Sequence, residues 1–331
     1  MGDDDISRAD EDKGLDADGF LAREGSLGRV PAPFGPLVDD VRRRVPEVFG
    51  PRLHSAYLYG SLPRGTAVPG RSDLDLLIAL HPDASGDATA PDGRPAAGGA
   101  PGPGPASGRA APPSSAPPAA PPAGPASARG SAPPCEPSDA DRSAASALEA
   151  ELDAAHDVID GAGILLVTVE RLLSARERHD LGWFVACLCT PLIGEDLGAR
   201  LPRYRPGTLL ARETNGSLDA RLPRWRRQNA AAAEDPAERT RLSRAYARVL
   251  VRTAFTLVMP RWGGWTSDLE RSAEIFARYY PERGDQVRAA AVVARFPVGD
   301  PAVLTEYADD LAPWLAGEYL RVHGPKTWPE T

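Results

Sequence analysis

The stretch that decides the fold is Tyr59-Gly60-Ser61-Leu62-Pro63-Arg64-Gly65-Thr66-Ala67-Val68-Pro69-Gly70-Arg71-Ser72-Asp73-Leu74-Asp75-Leu76, followed by Leu77-Ile78-Ala79-Leu80. Ala56 to Tyr59 reads as a short strand that ends in the Gly60-Ser61 turn. Leu74 to Leu80 reads as a second strand, apolar enough that both of its faces should be buried. The eleven residues between Ser61 and Asp73 are rich in turn formers and leave room for a short helix. Residues two apart on a strand point the same way, so Asp73 and Asp75 place both carboxylates on one face, about 7 Å apart at the backbone. Two bare carboxylates entering a buried strand are costly without a cation. With phosphate oxygens and water they complete the octahedral oxygen shell that Mg²⁺ requires. Gly60 lets the backbone approach a phosphate, Ser61 offers a hydroxyl and an N–H, and Arg64 offers a planar fork to the same anion. Ser72 has two readings, a bond to phosphate or a cap on the turn before the second strand.

Outward from this segment, Leu37, Val38, Val41, Val45, Val48 and Phe49 recur at helical spacing and Gly50-Pro51 closes the element. Leu148, Leu152, Ala155 and Val158 predict a further helix, and Ile164 to Val169 a third strand. Between these lies the low-complexity part: 15 of the 35 prolines fall in the 47 residues from Pro91 to Pro137. Such a segment buries too little apolar surface to offset the entropy of ordering it, so residues 84–138 are expected to be a disordered insertion within one domain. The first thirty residues carry nine acids and four bases without periodicity and are expected to form a disordered acidic tail. From Leu172 onward the signals are helical. Asp235-Pro236 with Glu238, Ser267 with Glu270, and Asp300-Pro301 read as helix starts, and Leu242, Tyr246, Val249, Leu250, Thr253 and Leu257 form one face of a long helix. The expected class is therefore α+β: a small α/β domain over 31–171, a mixed sheet flanked by helices, followed by an all-helical domain over 172–325.

Composition excludes several functions. The net charge is −8, of which −5 belongs to residues 1–30, so the remainder is close to neutral. That argues against a general affinity for duplex nucleic acid. Only Lys13 and Lys326 are lysines, and neither follows a glycine-rich loop, which excludes a P-loop. No run of about 18 apolar residues exists, so no membrane span is expected. The start, with Asp3, Asp4 and Asp5, fits neither a signal peptide nor, with Ile6 in place of Ser or Thr, a myristoylation site. Three cysteines cannot form a disulfide framework, and a cytoplasmic setting fits best. Cys187 and Cys189 read as core. Trp262-Gly263-Gly264-Trp265 reads more readily as packing than as a stacking platform. The arginines between Arg200 and Arg227 read as a solvated surface, with a triphosphate or RNA contact as the sharper alternative.

The pattern hydrophobic-Gly-Ser, spacer, acid-hydrophobic-acid-hydrophobic resembles the signature of the polymerase-beta-like nucleotidyltransferase superfamily. Its extended form, Gly60-Ser61-Leu62-Pro63-Arg64-Gly65 with Ser72-Asp73-Leu74-Asp75, is similar to that of small bacterial members such as the aminoglycoside nucleotidyltransferases. The signature covers 17 residues, and the order of elements extends the resemblance to most of the chain outside the insertion. It implies that Asp73 and Asp75 hold Mg²⁺ and that Gly60, Ser61, Arg64 and Ser72 surround the triphosphate of an NTP, ATP foremost. It also implies transfer of a nucleoside monophosphate to the hydroxyl of a small-molecule acceptor. The sequence departs from the family at a third acid, because Gly163 to Val169 contains none. Asp157, Asp160 and Glu170 flank that strand, and Asp160, nearest its start, is the candidate base. Two alternatives follow: a nucleotide-binding regulatory or antitoxin-like protein without turnover, or a nucleotidyltransferase acting on RNA or protein.

Overall fold

The structure, a computed structural model, describes residues 12–82 and 136–327, which belong to one compact unit. The first part runs α1 (Gly35–Phe49), β1 (Leu53–Tyr59), α2 (Ser61–Arg64), β2 (Leu74–Leu80), α3 (Asp139–Ala155), β3 (Ala162–Thr168), α4 (Val169–Leu173), α5 (Trp183–Leu188) and β4 (Thr190–Gly194). Its four strands form a mixed sheet in the order β3-β2-β1-β4. β1 is antiparallel to both β2 and β4, and β2 is parallel to β3. The helical part follows as α6 (Thr208–Asn215), α7 (Leu222–Ala231), α8 (Pro236–Trp262), α9 (Leu269–Tyr279), α10 (Pro281–Arg295), α11 (Pro301–Glu306) and α12 (Ala312–His323). The fold is α+β, as the pattern of strands and helices predicts. Among the described residues no helix is long and apolar enough to cross a membrane.

β2 lies inside the sheet, and the alternation of its side chains feeds two cores. Leu74, Leu76, Ile78 and Leu80 pack with Leu37, Val41 and Val45 of α1 and with Leu148 and Leu152 of α3. Leu77 and Ala79 face the other way, toward Tyr57, Leu172, Val185 and Cys189. The third core surrounds α8, whose Leu242, Tyr246, Leu250, Thr253 and Leu257 are buried along the face that the sequence predicts. Asp235 caps α8 by accepting from the Glu238 N–H at 3.0 Å. Trp262 and Trp265 are core residues, with the Trp265 ring edge-on to Trp183. Cys187 and Cys189 are buried free thiols; burial pushes Cys187 up to about 12 and raises Cys189 as well, which leaves both unreactive.

Four local readings change. Residues 12–30, expected within a disordered tail, are packed: Leu21 is buried, Arg23 holds Asp196 through two hydrogen bonds, and the Trp265 N–H donates to the Lys13 carbonyl at 2.8 Å. Acidic composition is no bar to order where each charge meets an arginine, as Asp16 does in Arg203 at 2.7 Å. The fourth strand comes from residues 190–194, in a region read as helical; Pro191 and the positive φ of Gly194 break helical continuity there. Ser267 does not start a helix, because Asp268 caps α9 instead, accepting from the Arg271 N–H at 2.7 Å. Of the insertion expected over 84–138, residues 84–135 lie outside the described residues, whereas Ser138 caps α3 in a reciprocal capping box with Asp141.

Tyr57 ties β1 to the chain beyond β4. Its buried hydroxyl accepts from the Leu197 N–H at 2.7 Å and donates to the Glu195 carbonyl at 3.3 Å. Tyr57→Phe strands both groups and is expected to lower stability by about 1–3 kcal/mol, read as a fall in the urea midpoint at unchanged slope.

Candidate active site

β1 and β2 deliver the two motif halves to one place. Tyr59 stands opposite Asp75 in the antiparallel register, and Gly60 turns the chain into α2 with φ +77°. A Cβ on Gly60 would lie 2.1 Å from Asp75 Oδ2, so the turn requires glycine on two grounds, backbone conformation and contact with the carboxylate. Asp73 and Asp75 continue the β2 face of Leu77 and Ala79, at the end where the apolar cover stops. Among the described residues neither carboxylate accepts a hydrogen bond or joins an ion pair. Burial, reinforced by the Asp73 charge, pushes Asp75 up to about 6, against the pull of Arg248, Arg64 and Arg252. Burial and the Asp75 charge likewise raise the Tyr59 phenol.

The other expected residues are placed less simply. α2 is a single turn, so Ser61 at its start gains little from a helix dipole. Arg64 uses part of its fork within the protein: Nε donates to the Gly60 carbonyl at 2.8 Å and Nη1 donates to Ser267 Oγ. Ser72 is a turn cap, its hydroxyl accepting from the Val68 N–H at 2.9 Å. The Asp160 N–H donates to the Ser72 carbonyl at 3.1 Å, and next to it the Leu74 N–H donates to the Gly161 carbonyl at 2.8 Å. The Asp160 backbone thus lies beside the motif, while its side chain is exposed. On β3 the residues paired with Asp75 and Leu77 are Gly163 and Leu165, so that strand brings no carboxylate to this face. Among the described residues no three His, Cys, Asp or Glu side chains gather as a metal-binding group.

What the pattern reading missed is on α8. Arg244, Arg248 and Arg252 follow at four-residue spacing, hence on one face, and this face turns to the strand acids. Burial, then Arg244, lowers Arg248, while Asp75 and Asp73 act in the opposite direction. Burial, Arg248 and Arg64 lower Arg252, opposed by Asp75 and Glu24. All stay charged. Among the described residues none of the three meets a carboxylate in an ion pair. The signal was available as a four-residue arginine period beside the apolar face of the helix, Arg244-x₃-Arg248-x₃-Arg252. By contrast the arginines between 200 and 227 are largely engaged at the surface: Arg203 with Asp16 and Asp18, Arg212 with Glu213, Arg226 with Asp309.

A cleft of about 810 Å³ opens beside the motif, lined by Arg64, Arg71, Ser72, Arg244 and Arg248 among others. The packed N-terminal segment forms part of its wall: Glu24 lines it and accepts from the Ser267 N–H at 3.0 Å. Among the described residues eight arginines and four carboxylates line this space, an excess of positive charge that suits it to anions. No family model matches the chain, and no curated protein matches its sequence.

The raised carboxyl of Asp75 has a measurable sign. Its ordinary value is 3.8 and its folded value about 6, so between these the native state holds a proton that the unfolded chain has released. In metal-free buffer, stability is therefore expected to fall as pH rises from about 4 to about 6, by at most about 3 kcal/mol, less the screening by cleft water. Asp75→Asn should remove that slope. An identical pH dependence of the denaturation midpoint in both proteins would contradict the assignment.

Proposed function

We propose that the protein is a Mg²⁺-dependent nucleotidyltransferase that moves a nucleoside monophosphate from an NTP to an acceptor hydroxyl. The observation carrying this reading is the pair Asp73 and Asp75, without ion-pair partners among the described residues, with Asp75 against the Gly60 turn and with Arg248 and Arg252, likewise without ion pairs among them, opposite. The donor set fits the metal: two hard oxygen ligands, one held at an unfavourable ionisation by burial, gain most from a divalent cation. When bound, Mg²⁺ would neutralise charge on the phosphate oxygens. The resemblance of the motif to the polymerase-beta-like signature supports the same reading and supplies the reaction class.

The chain's own residues would act by positioning. Gly60 and Ser61 offer the turn to the phosphates, Arg64 stiffens that turn while lining the cleft, and Arg248 and Arg252 set positive charge against the polyanion. The acceptor oxygen bonds to the α-phosphorus, the α-phosphorus bond to the β-bridging oxygen breaks, and pyrophosphate leaves with the electron pair. The hydroxyl proton passes to a base, for which Asp160 is the candidate. ATP is the first NTP to test.

The absence of a carboxylate at Gly163 and Leu165 supports a second reading, a nucleotide-binding regulatory protein without turnover. Magnesium-dependent pyrophosphate release in an acceptor screen with labelled NTPs separates the two.

Asp73→Asn and Asp75→Asn are each expected to abolish Mg²⁺-dependent NTP binding in calorimetry while the circular dichroism spectrum is unchanged. Asp160→Asn should bind MgNTP like the parent and lose transfer by at least about a hundredfold. Unaltered MgNTP affinity in both strand variants would reject the site.

A further inference from the structure

The strand acids and the Gly60 turn account for one end of the arginine stripe on α8 only. Arg252, Arg248 and Arg244 rise along α8 over about 12 Å of helix axis, and their neighbours order them against β2. Arg252 has Arg64, Asp75 and Glu24 around it. Arg248 has both Asp75 and Asp73. Arg244 stands one turn further on, beside Arg248. Arg71, two residues before Asp73, lines the same cleft as Arg244, together with Val68 and Phe296. A second pair of guanidinium groups therefore lies past Asp73, at the end remote from Gly60, Ser61 and Arg64.

Among the described residues neither Arg71 nor Arg244 forms an ion pair, and Arg244 Nε is buried without a hydrogen-bond partner. A buried donor left in that state is costly, and a cationic one more so, so the arrangement at Arg244 fits an acceptor of opposite charge. Four of the other cleft arginines differ: Arg23 is held by Asp196, Arg295 by Glu270, and Arg29 and Arg271 donate to the carbonyls of Glu24 and Asp12. The volume is within the range of small-ligand sites.

We propose that Arg71 and Arg244 form an anion subsite for the acceptor, and that the acceptor is a small molecule bearing a phosphate monoester as well as its hydroxyl. The subsite stands on the cleft itself; that its occupant is the acceptor rests on the nucleotidyl-transfer reading. Among the described residues the cleft lining carries eight arginines against four carboxylates, so a polycationic acceptor, such as an aminoglycoside, would be repelled.

The test is calorimetry with inorganic phosphate and with glucose 6-phosphate, on the protein alone and on protein saturated with Mg²⁺ and an α,β-methylene ATP analogue. Both probes are expected to bind in both states, and glucose in neither. Arg71→Gln and Arg244→Gln should each weaken them about tenfold or more, as loss of a charge-assisted bond implies, while analogue affinity stays within about twofold. Arg71 is exposed, so its variant remains informative if Arg244→Gln misfolds. Absence of phosphate binding, or indifference to the Arg71 substitution, overturns the subsite. Binding of phosphate without glucose 6-phosphate, or displacement of both by the analogue, overturns the acceptor assignment and returns these arginines to the triphosphate. Failure of the analogue to bind at all sinks the nucleotide reading instead, and phosphate binding to the protein alone still decides the subsite.

Discussion

Two carboxylates at the end of a strand whose other side chains are fully buried need positive charge from outside the sheet. That constraint organises the site. β2 cannot supply a cation, being apolar from Leu76 to Leu80, and its neighbours in register offer Tyr59 and Gly163. The compensation comes across the cleft from α8 and from Arg64. It is incomplete: the Asp75 carboxyl remains raised although three arginines act on it, because desolvation and Asp73 outweigh them. Among the described residues, then, two carboxylates without ion pairs stand near arginines without ion pairs, held close enough to act on one another but not joined.

The helical part is thus more than a cover. α8 is buried along one face among Leu242, Tyr246 and Leu250, which holds the helix rigidly, and its arginine stripe inherits that rigidity. The loop between α8 and α9 adds Ser267, which joins Arg64 on one side and Glu24 on the other. Residues 12–30 complete this wall, anchored through Arg23 to Asp196 just after β4 and through the Lys13 carbonyl to Trp265. Sheet, bundle and N-terminal segment meet at the mouth of the cleft, so the charge geometry depends on all three.

The resemblance and the structure diverge in one physical respect. An aminoglycoside is a polycation, and enzymes that bind one need carboxylates; this cleft has an excess of arginine. The motif and the lining of the cleft are separate sources of chemistry, because most of the residues that line the cleft come from elements the motif does not include.

Local pattern alone determined β1, β2, β3, α1 and the buried face of α8, because each rests on periodicity that neighbouring residues set. It also determined Gly60, Asp73 and Asp75, since a two-residue period on a strand places both acids on one face wherever the strand packs. Tertiary structure decided the rest. The order of residues 12–30 depends on partners more than 150 positions away, such as Asp196 for Arg23. The fourth strand exists because β1 offers a free edge, not because residues 190–194 resemble one. The surroundings of Arg248 and Arg252 depend on the strand acids they face, Asp75 foremost, and the position of Asp160 beside Ser72 depends on the parallel pairing of β2 with β3. Spacing along one helix shows that arginines share a side, but only the packing of that helix against the sheet decides whether the side meets solvent or two half-buried carboxylates.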